Sequence, residues 1–426
     1  MAIWIPDVDS SEEFYSEFEN QREQDHKSYQ EMTDEINKCI RSGTDTEAAR
    51  IGDIIDSREY ERLSGLFYGF KVFKTSHIIY DVEREAGITN NIYAVIEDIA
   101  DYNDLRQCAL YCFRRIQMMC SDEEIAALFE ELIRRDVSVY FVIRALNEAK
   151  LSDRGFVGKR LSELYNQYGK RDEALILGSY CDRKFPDSEC SFRIEEPLGI
   201  KPYSGRKICF ITCVNNRRMY EECLFYINRL IVPEGVEIDS LSIEEAESMT
   251  SGYNAGMIAT DADIKIYLHQ DVCIIDPFFL FRIIDVFDSD KDIGVIGIVG
   301  SPELPKDTVM WHGIRIGKLY DENTKLHYSY AGASENALYD PVEAVDGLLI
   351  ATSRDIPWRD DVFDGWDFYD ASVCAEFRRQ GLKVVVPKQE TPWVIHDDGM
   401  MNLYSYGKYR KLFIETYLTD RKVYFD

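Results

Sequence analysis

Few prolines and glycines punctuate this chain (12 and 25 of 426 residues), and they do not cluster, which excludes a low-complexity or linker-like composition. No Cys-x-x-Cys pair occurs. The eleven cysteines form an odd, dispersed set from Cys39 to Cys374, several of them inside apolar patterns, and read as buried reduced thiols. No apolar run approaches the roughly 18 residues a membrane-spanning helix needs. The opening MAIWIPDVDSSEE lacks the basic and long apolar segments of a secretory signal. A cytoplasmic protein is expected, free or peripheral at the inner membrane face. Basic residues are outnumbered, 49 Lys and Arg against 77 Asp and Glu, for a formal net charge of −28. Such a balance argues against nucleic acid and anionic lipid as partners, since both attract basic patches. It still allows an anionic nucleotide where local amides and a metal supply the counter-charge.

What is present is a folded composition, 45% apolar and 13% aromatic, in a chain long enough for two domains. From about Ser10 to Pro186 apolar residues recur three and four apart. A capping box at Ser121 and Glu124 precedes the stripe Ile125, Leu128 and Leu132. Residues 1–195 are expected to be all-α, and Gly158–Pro186 resembles one tetratricopeptide unit; an ordinary helical domain is the competing reading. The acidic stretch 8–38 reads as a solvated helix or an interaction arm. The helical half could bind a protein partner, extend an acceptor groove or self-associate. After a boundary between Pro186 and Gly205 the rhythm changes. KICFITCV (Lys207–Val214) is a continuous apolar run of the kind a doubly covered strand requires. A helix over Arg218–Ile231 and strands over Val236–Ile243, Ile264–Leu268 and Asp292–Val299 complete a βαβ pattern, so residues 205–415 are expected to form an α/β sheet domain.

The chemistry-bearing residues fall in this second half. The turn Thr212–Asn216 precedes a helix whose free amides could cradle an anion, or it is a plain βα loop. The strand Ile264–Leu268 would deliver His269 and Asp271 on one side, at the end of the sheet where ligands bind. Asp271 alone could be a turn former. A later His396 offers a partner, and Asp271 with His396 suits Mn²⁺ or Mg²⁺ beside a pyrophosphate, manganese accepting imidazole as well as carboxylate. Asp364, Asp367 and Asp370 crowd an aromatic turn before a helix. Asp370, at that helix's amino terminus, is expected to stay ionised and serve as a general base, or else simply to cap the helix. Asp346 and Gly347 join an acid to bare backbone, as a sugar-binding floor would. Among Trp311, Trp358, Trp366 and Trp393, Trp366 is the expected stacking platform. Gly294, Gly297 and Gly300 imitate a dinucleotide loop, but Pro302 and Pro305 stand where its helix would start, so a tightly packed strand is expected.

In order, ITCVNN, GYNAG, YLHQDV, VDGLLIAT, FYD before a helix, and a late His resemble the family 2 type of glycosyltransferases, and more narrowly a bacterial branch of them. The resemblance covers about Lys207 to Tyr409. It implies the nucleotide-sugar-binding GT-A fold, and transfer of a sugar from a nucleoside-diphosphate donor, expected to be UDP-linked, to a glycan or other hydroxyl acceptor with inversion. It further implies that Thr212, Val214 and Asn216 lie by the base and ribose, with Ser248, Asn254 and Gln270 near the donor. His269-Gln270-Asp271 stands where the family has an Asp-x-Asp metal motif, and His396 matches a late metal ligand. Asp370 matches the catalytic base, with Asp367 in reserve. Two positions depart from the pattern: His269 replaces the first metal-motif acid, and Tyr369 replaces the acid beside the base. A non-catalytic nucleotide-sugar-binding or scaffold protein with a helical arm is the alternative.

Overall fold

The computed structural model describes residues 121–134, 137–197, 203, 205–321, 338–397 and 405–418, with isolated helical positions 24, 27, 28, 31, 32, 35 and 38. The remainder of the helices expected before residue 121, including most of the acidic stretch 8–38, lies outside the described residues. Among the elements described in full, helices α1 (Asp122–Arg134), α2 (Val139–Glu148), α3 (Arg154–Gln167) and α4 (Arg171–Lys184) come first. The capping box is formed: the Ser121 amide donates to Glu124 Oε2 at 2.7 Å and the Glu124 amide to Ser121 Oγ at 3.3 Å. Ile125, Leu128 and Leu132 are buried behind it. Asp153 caps α3 by accepting the Phe156 amide at 2.8 Å. Gly158 then lets α3 approach α4, because a Cβ there would run into Cys181.

The chain continues through β1 (Arg206–Val214), α5 (Arg217–Ile227), β2 (Val236–Glu244), α6 (Met249–Ala259), β3 (Ile264–Leu268), β4 (Val272–Ile274) and α7 (Phe279–Ser289). Next come β5 (Ile293–Gly297), β6 (Val299–Ser301), β7 (Ile316–Gly317), β8 (Tyr320–Asp321), β9 (Tyr339–Pro341), β10 (Ala344–Val345) and β11 (Leu349–Thr352). Helix α8 (Tyr369–Arg379), β12 (Lys383–Pro387), β13 (Val394–His396) and α9 (Tyr406–Phe413) follow. The main sheet has the order β2-β1-β3-β11-β5-β12-β9. β1 runs parallel to β2 and β3, while β11 enters antiparallel between β3 and β5. The sheet is therefore mixed, where a run of βαβ units alone would give parallel strands.

Two expected boundaries shift. The strand expected over Asp292–Val299 splits: β5 pairs with β11 as far as Gly297, and β6 then joins β10 and β7 in a second small sheet. Gly297 sits at the split because Val345 packs where its side chain would be. The glycine series is thus tight packing, as expected from its spacing. Helix α5 stops at Ile227, earlier than the expected Ile231, although Leu230 beyond it is still buried.

α1–α4 share a core with the sheet domain through Tyr226, Cys273, Ile275, Tyr320 and Ile395. Polar contacts reinforce it: the Val139 amide donates to Tyr320 Oη at 3.3 Å, Arg183 donates to the Ile275 carbonyl at 2.9 Å, and Arg144 pairs with Glu222 at 3.2 Å. These helices therefore brace the segments around β4 and β13. The described cysteines are all free, and all but Cys213 are buried. Among the described residues no helix is long and apolar enough to cross a membrane.

Candidate active site

β3 is buried along its length, its one charged side chain, Lys265, donating to Asp355 at 2.7 Å. The strand does not continue past Leu268. The His269 amide donates to the Leu348 carbonyl at 3.0 Å and the chain turns, the Val272 amide reaching the His269 carbonyl at 3.3 Å. This turn, rather than strand alternation, brings His269 and Asp271 together. β13 pairs antiparallel with β4, setting His396 opposite Val272, and the Asp397 amide donates to the Asp271 carbonyl at 2.9 Å. Asp271 Oδ1 consequently lies 3.9 Å from His269 Nδ1 and 3.6 Å from His396 Nε2. The three ligand atoms fall within 4.8 Å of one another, on side chains 25%, 16% and 13% exposed for His269, Asp271 and His396. Burial lowers the His269 pKa from its ordinary value, against the pull of Asp271, and so favours the neutral imidazole that can ligate. Two imidazole nitrogens and one carboxylate at this spacing fit a divalent cation.

Across from this cluster α8 begins at a sharp corner, since Phe368 adopts a left-handed backbone (φ 60°) without being glycine. The corner puts Tyr369 and Asp370 on the first turn. The buried Tyr369 hydroxyl hydrogen-bonds His269 Nε2. Its ring lies against Gly347, where a Cβ would collide with the ring and hydroxyl. Asp370 accepts the Gly347 amide at 3.1 Å and the Ala371 amide at 2.7 Å, while Asp346 accepts the Leu348 amide at 3.0 Å. Burial, and then the neighbouring Asp346 charge, push the Asp370 pKa up to about 7 against the two amides. This corrects the expectation that the helix terminus alone keeps Asp370 ionised: desolvation outweighs it.

Elsewhere the expected residues are differently engaged. The Asn215 and Asn216 amides both donate to Gln270 Oε1, at 3.0 and 2.8 Å, so the turn expected to offer free amides to an anion is already paired. Asn216 itself caps α5. Thr212 and Val214 are buried on β1, and the Thr212 hydroxyl has no hydrogen-bond partner among the described residues. Ser248 caps α6, accepting the Ser251 amide at 3.1 Å. Asn254 grips the Trp358 backbone in both directions, at 2.8 and 2.9 Å. Ser248 closes the end of its own helix and Asn254 ties α6 to the Trp358 segment, and these hydrogen bonds leave little for a donor. Asp367 accepts the Ser405 hydroxyl at 2.6 Å. Trp366 is 47% exposed, whereas Trp358 and Trp393 are core residues; the Trp311 side chain lies outside those described. In the sequence Tyr369 stands only as a departure from the family pattern. The available signal was that two departures, His269 and Tyr369, occur together, and the fold makes them partners.

A model described as a glycosyltransferase-like family matches residues 209–417. No curated protein matches the chain significantly. Among solved structures, the chain is similar to the mannosyltransferase PcManGT from Pyrobaculum calidifontis in complex with GDP-Man and Mn²⁺, at 13% identity and a TM-score of 0.31 over 60% of this chain and 72% of that one. The mixed α/β sheet is consistent with a GT-A glycosyltransferase fold, and the carboxyl-terminal half of this chain carries a glycosyltransferase-like family domain.

Proposed function

We propose that this domain transfers a sugar from a nucleoside-diphosphate donor to a hydroxyl acceptor with inversion at the anomeric carbon. The observation that carries the reading is the convergence of His269, Asp271 and His396, linked through Tyr369 to the next residue, Asp370. Asp370, with a pKa of about 7, is suited to take the acceptor proton near neutral pH. The acceptor oxygen then bonds the anomeric carbon on one face as the bond to the diphosphate oxygen breaks on the other. Charge at the anomeric carbon has oxocarbenium character in that transition state, as in other glycosyl chemistry. Asp271, His396 and His269 would hold Mn²⁺ or Mg²⁺, which when bound supplies positive charge to the leaving diphosphate; the imidazoles favour Mn²⁺. Asp346 lines the floor under the sugar, whereas the bare face of Gly347, expected to share that role, is taken up by the Tyr369 ring; Trp366 offers its exposed face to the acceptor. Thr212, Val214 and Asn216 border the donor, with Gln270 shaping their turn. The helices α1–α4 stiffen the β4–β13 side of the site.

The test is thermal unfolding with UDP, GDP, CDP and dTDP, each with and without Mn²⁺. A ligand at about a hundred times its dissociation constant adds roughly 2.7 kcal/mol, a shift of several degrees for a domain of about 200 residues. One nucleotide, UDP by expectation, should raise the midpoint, and only with Mn²⁺. No shift with any of the four would contradict the reading.

A further inference from the structure

We propose that Tyr369 is a positioning residue whose phenolic oxygen accepts the Nε2–H of His269, fixing the imidazole tautomer that leaves the Nδ1 lone pair facing the cation site. The assignment rests on the metal-site reading above and adds to it the residue that orients one ligand. A neutral imidazole carries one N–H and one lone pair, and the partner of one nitrogen decides the role of the other. Nδ1 is the nitrogen 3.9 Å from Asp271 Oδ1, and Nε2 is the one hydrogen-bonded to Tyr369. For Nδ1 to bind a cation the proton must sit on Nε2, where the Tyr369 oxygen can receive it. The phenol is itself held. Its ring occupies the space that Gly347 leaves empty and packs with Tyr253 and Trp358 at centroid distances of 6.0 and 6.2 Å. The left-handed Phe368 aims it across the site. A carboxylate in its place would add a negative charge beside Asp271, Asp346 and Asp370; a phenol accepts the same hydrogen bond without that charge.

The test is calorimetric titration of Mn²⁺ into the full chain as wild type, Tyr369→Phe and His269→Ala, with ¹⁵N NMR of the histidine rings reporting the tautomer. Tyr369→Phe should bind Mn²⁺ about 10–100-fold more weakly, the range seen when a partner of a metal-bound histidine is removed. His269 should then lose its single Nε2–H tautomer. Unchanged affinity and tautomer in Tyr369→Phe, with binding weakened in His269→Ala, would overturn the role of Tyr369 while keeping the metal site. Absence of Mn²⁺ binding by the wild type would contradict the metal site and Tyr369's role with it. A proton on Nδ1 in the wild-type apoprotein would overturn the assignment without any variant.

Discussion

At α6, Ser248 and Asn254 direct their hydrogen bonds at the scaffold: the first closes the helix end through the Ser251 amide and the Thr250 and Ser251 hydroxyls, and the second clasps the Trp358 backbone. At the ends of β3 and β13, His269, Asp271 and His396 turn toward one another instead, with a carboxylate nearby whose pKa rises to about 7. The difference separates scaffold from chemistry. Backbone pairing removes the cost of burying a polar side chain and stabilises the fold, whereas like groups gathered in a partly buried crevice lower stability and gain reactivity.

The largest effect that would break this comparison is at Asp370. Asp370→Asn should lower kcat about 10²–10⁴-fold, the usual contribution of a general base, as measured by product formation at saturating donor. Asn254→Ala should behave in the opposite way, losing about 1–3 kcal/mol in urea unfolding because the buried Trp358 backbone groups lose their partner. The pH midpoint of kcat in that variant should stay at the wild-type value. A shifted midpoint would move Asn254 from scaffold to site.

The pKa of Asp370 sharpens the contrast through pH. The rate should rise as pH increases through about 7, where this carboxyl ionises. Stability should move the other way. The folded-state pKa is raised above the unfolded value, so the contribution of Asp370 is fully present below about pH 4 and is lost as pH rises to about 7. Asp370→Asn removes that loss. It should unfold several degrees higher than wild type at about pH 8 and within a degree or so of it at about pH 4, by scanning calorimetry. The smallest effect is expected at Gln270, whose replacement by Ala should cost about 0.5–1.5 kcal/mol and weaken nucleotide binding a few-fold as the β1–α5 turn loosens. Tighter nucleotide binding in Gln270→Ala would mean that the Asn215 and Asn216 amides receive the donor directly.

Local features were legible in the sequence. The limits of β3 and the Ser121–Glu124 box follow from neighbours within a few residues, and Pro302 and Pro305 just after Gly297 rule out a dinucleotide loop there. Features set by distant partners were not. The antiparallel entry of β11 depends on a pairing that no period in its four residues reveals. The His269–Tyr369 bond joins positions one hundred residues apart. Asp370 was readable as a helix-terminal acid, but its raised pKa comes from burial and from Asp346, which only the fold brings beside it. Ser248 and Asn254 stand at suggestive positions, and nothing local distinguishes a side chain that meets a ligand from one that meets backbone.

The most direct test of the account is calorimetric binding of the nucleotide identified by unfolding, with Mn²⁺, to wild type, Asp271→Ala and Asp370→Asn, alongside transfer assays. Asp370→Asn is predicted to bind as wild type does and transfer almost nothing, while Asp271→Ala loses the metal-dependent part of binding. Equal loss of binding in both variants would contradict the division between a cation site and a base.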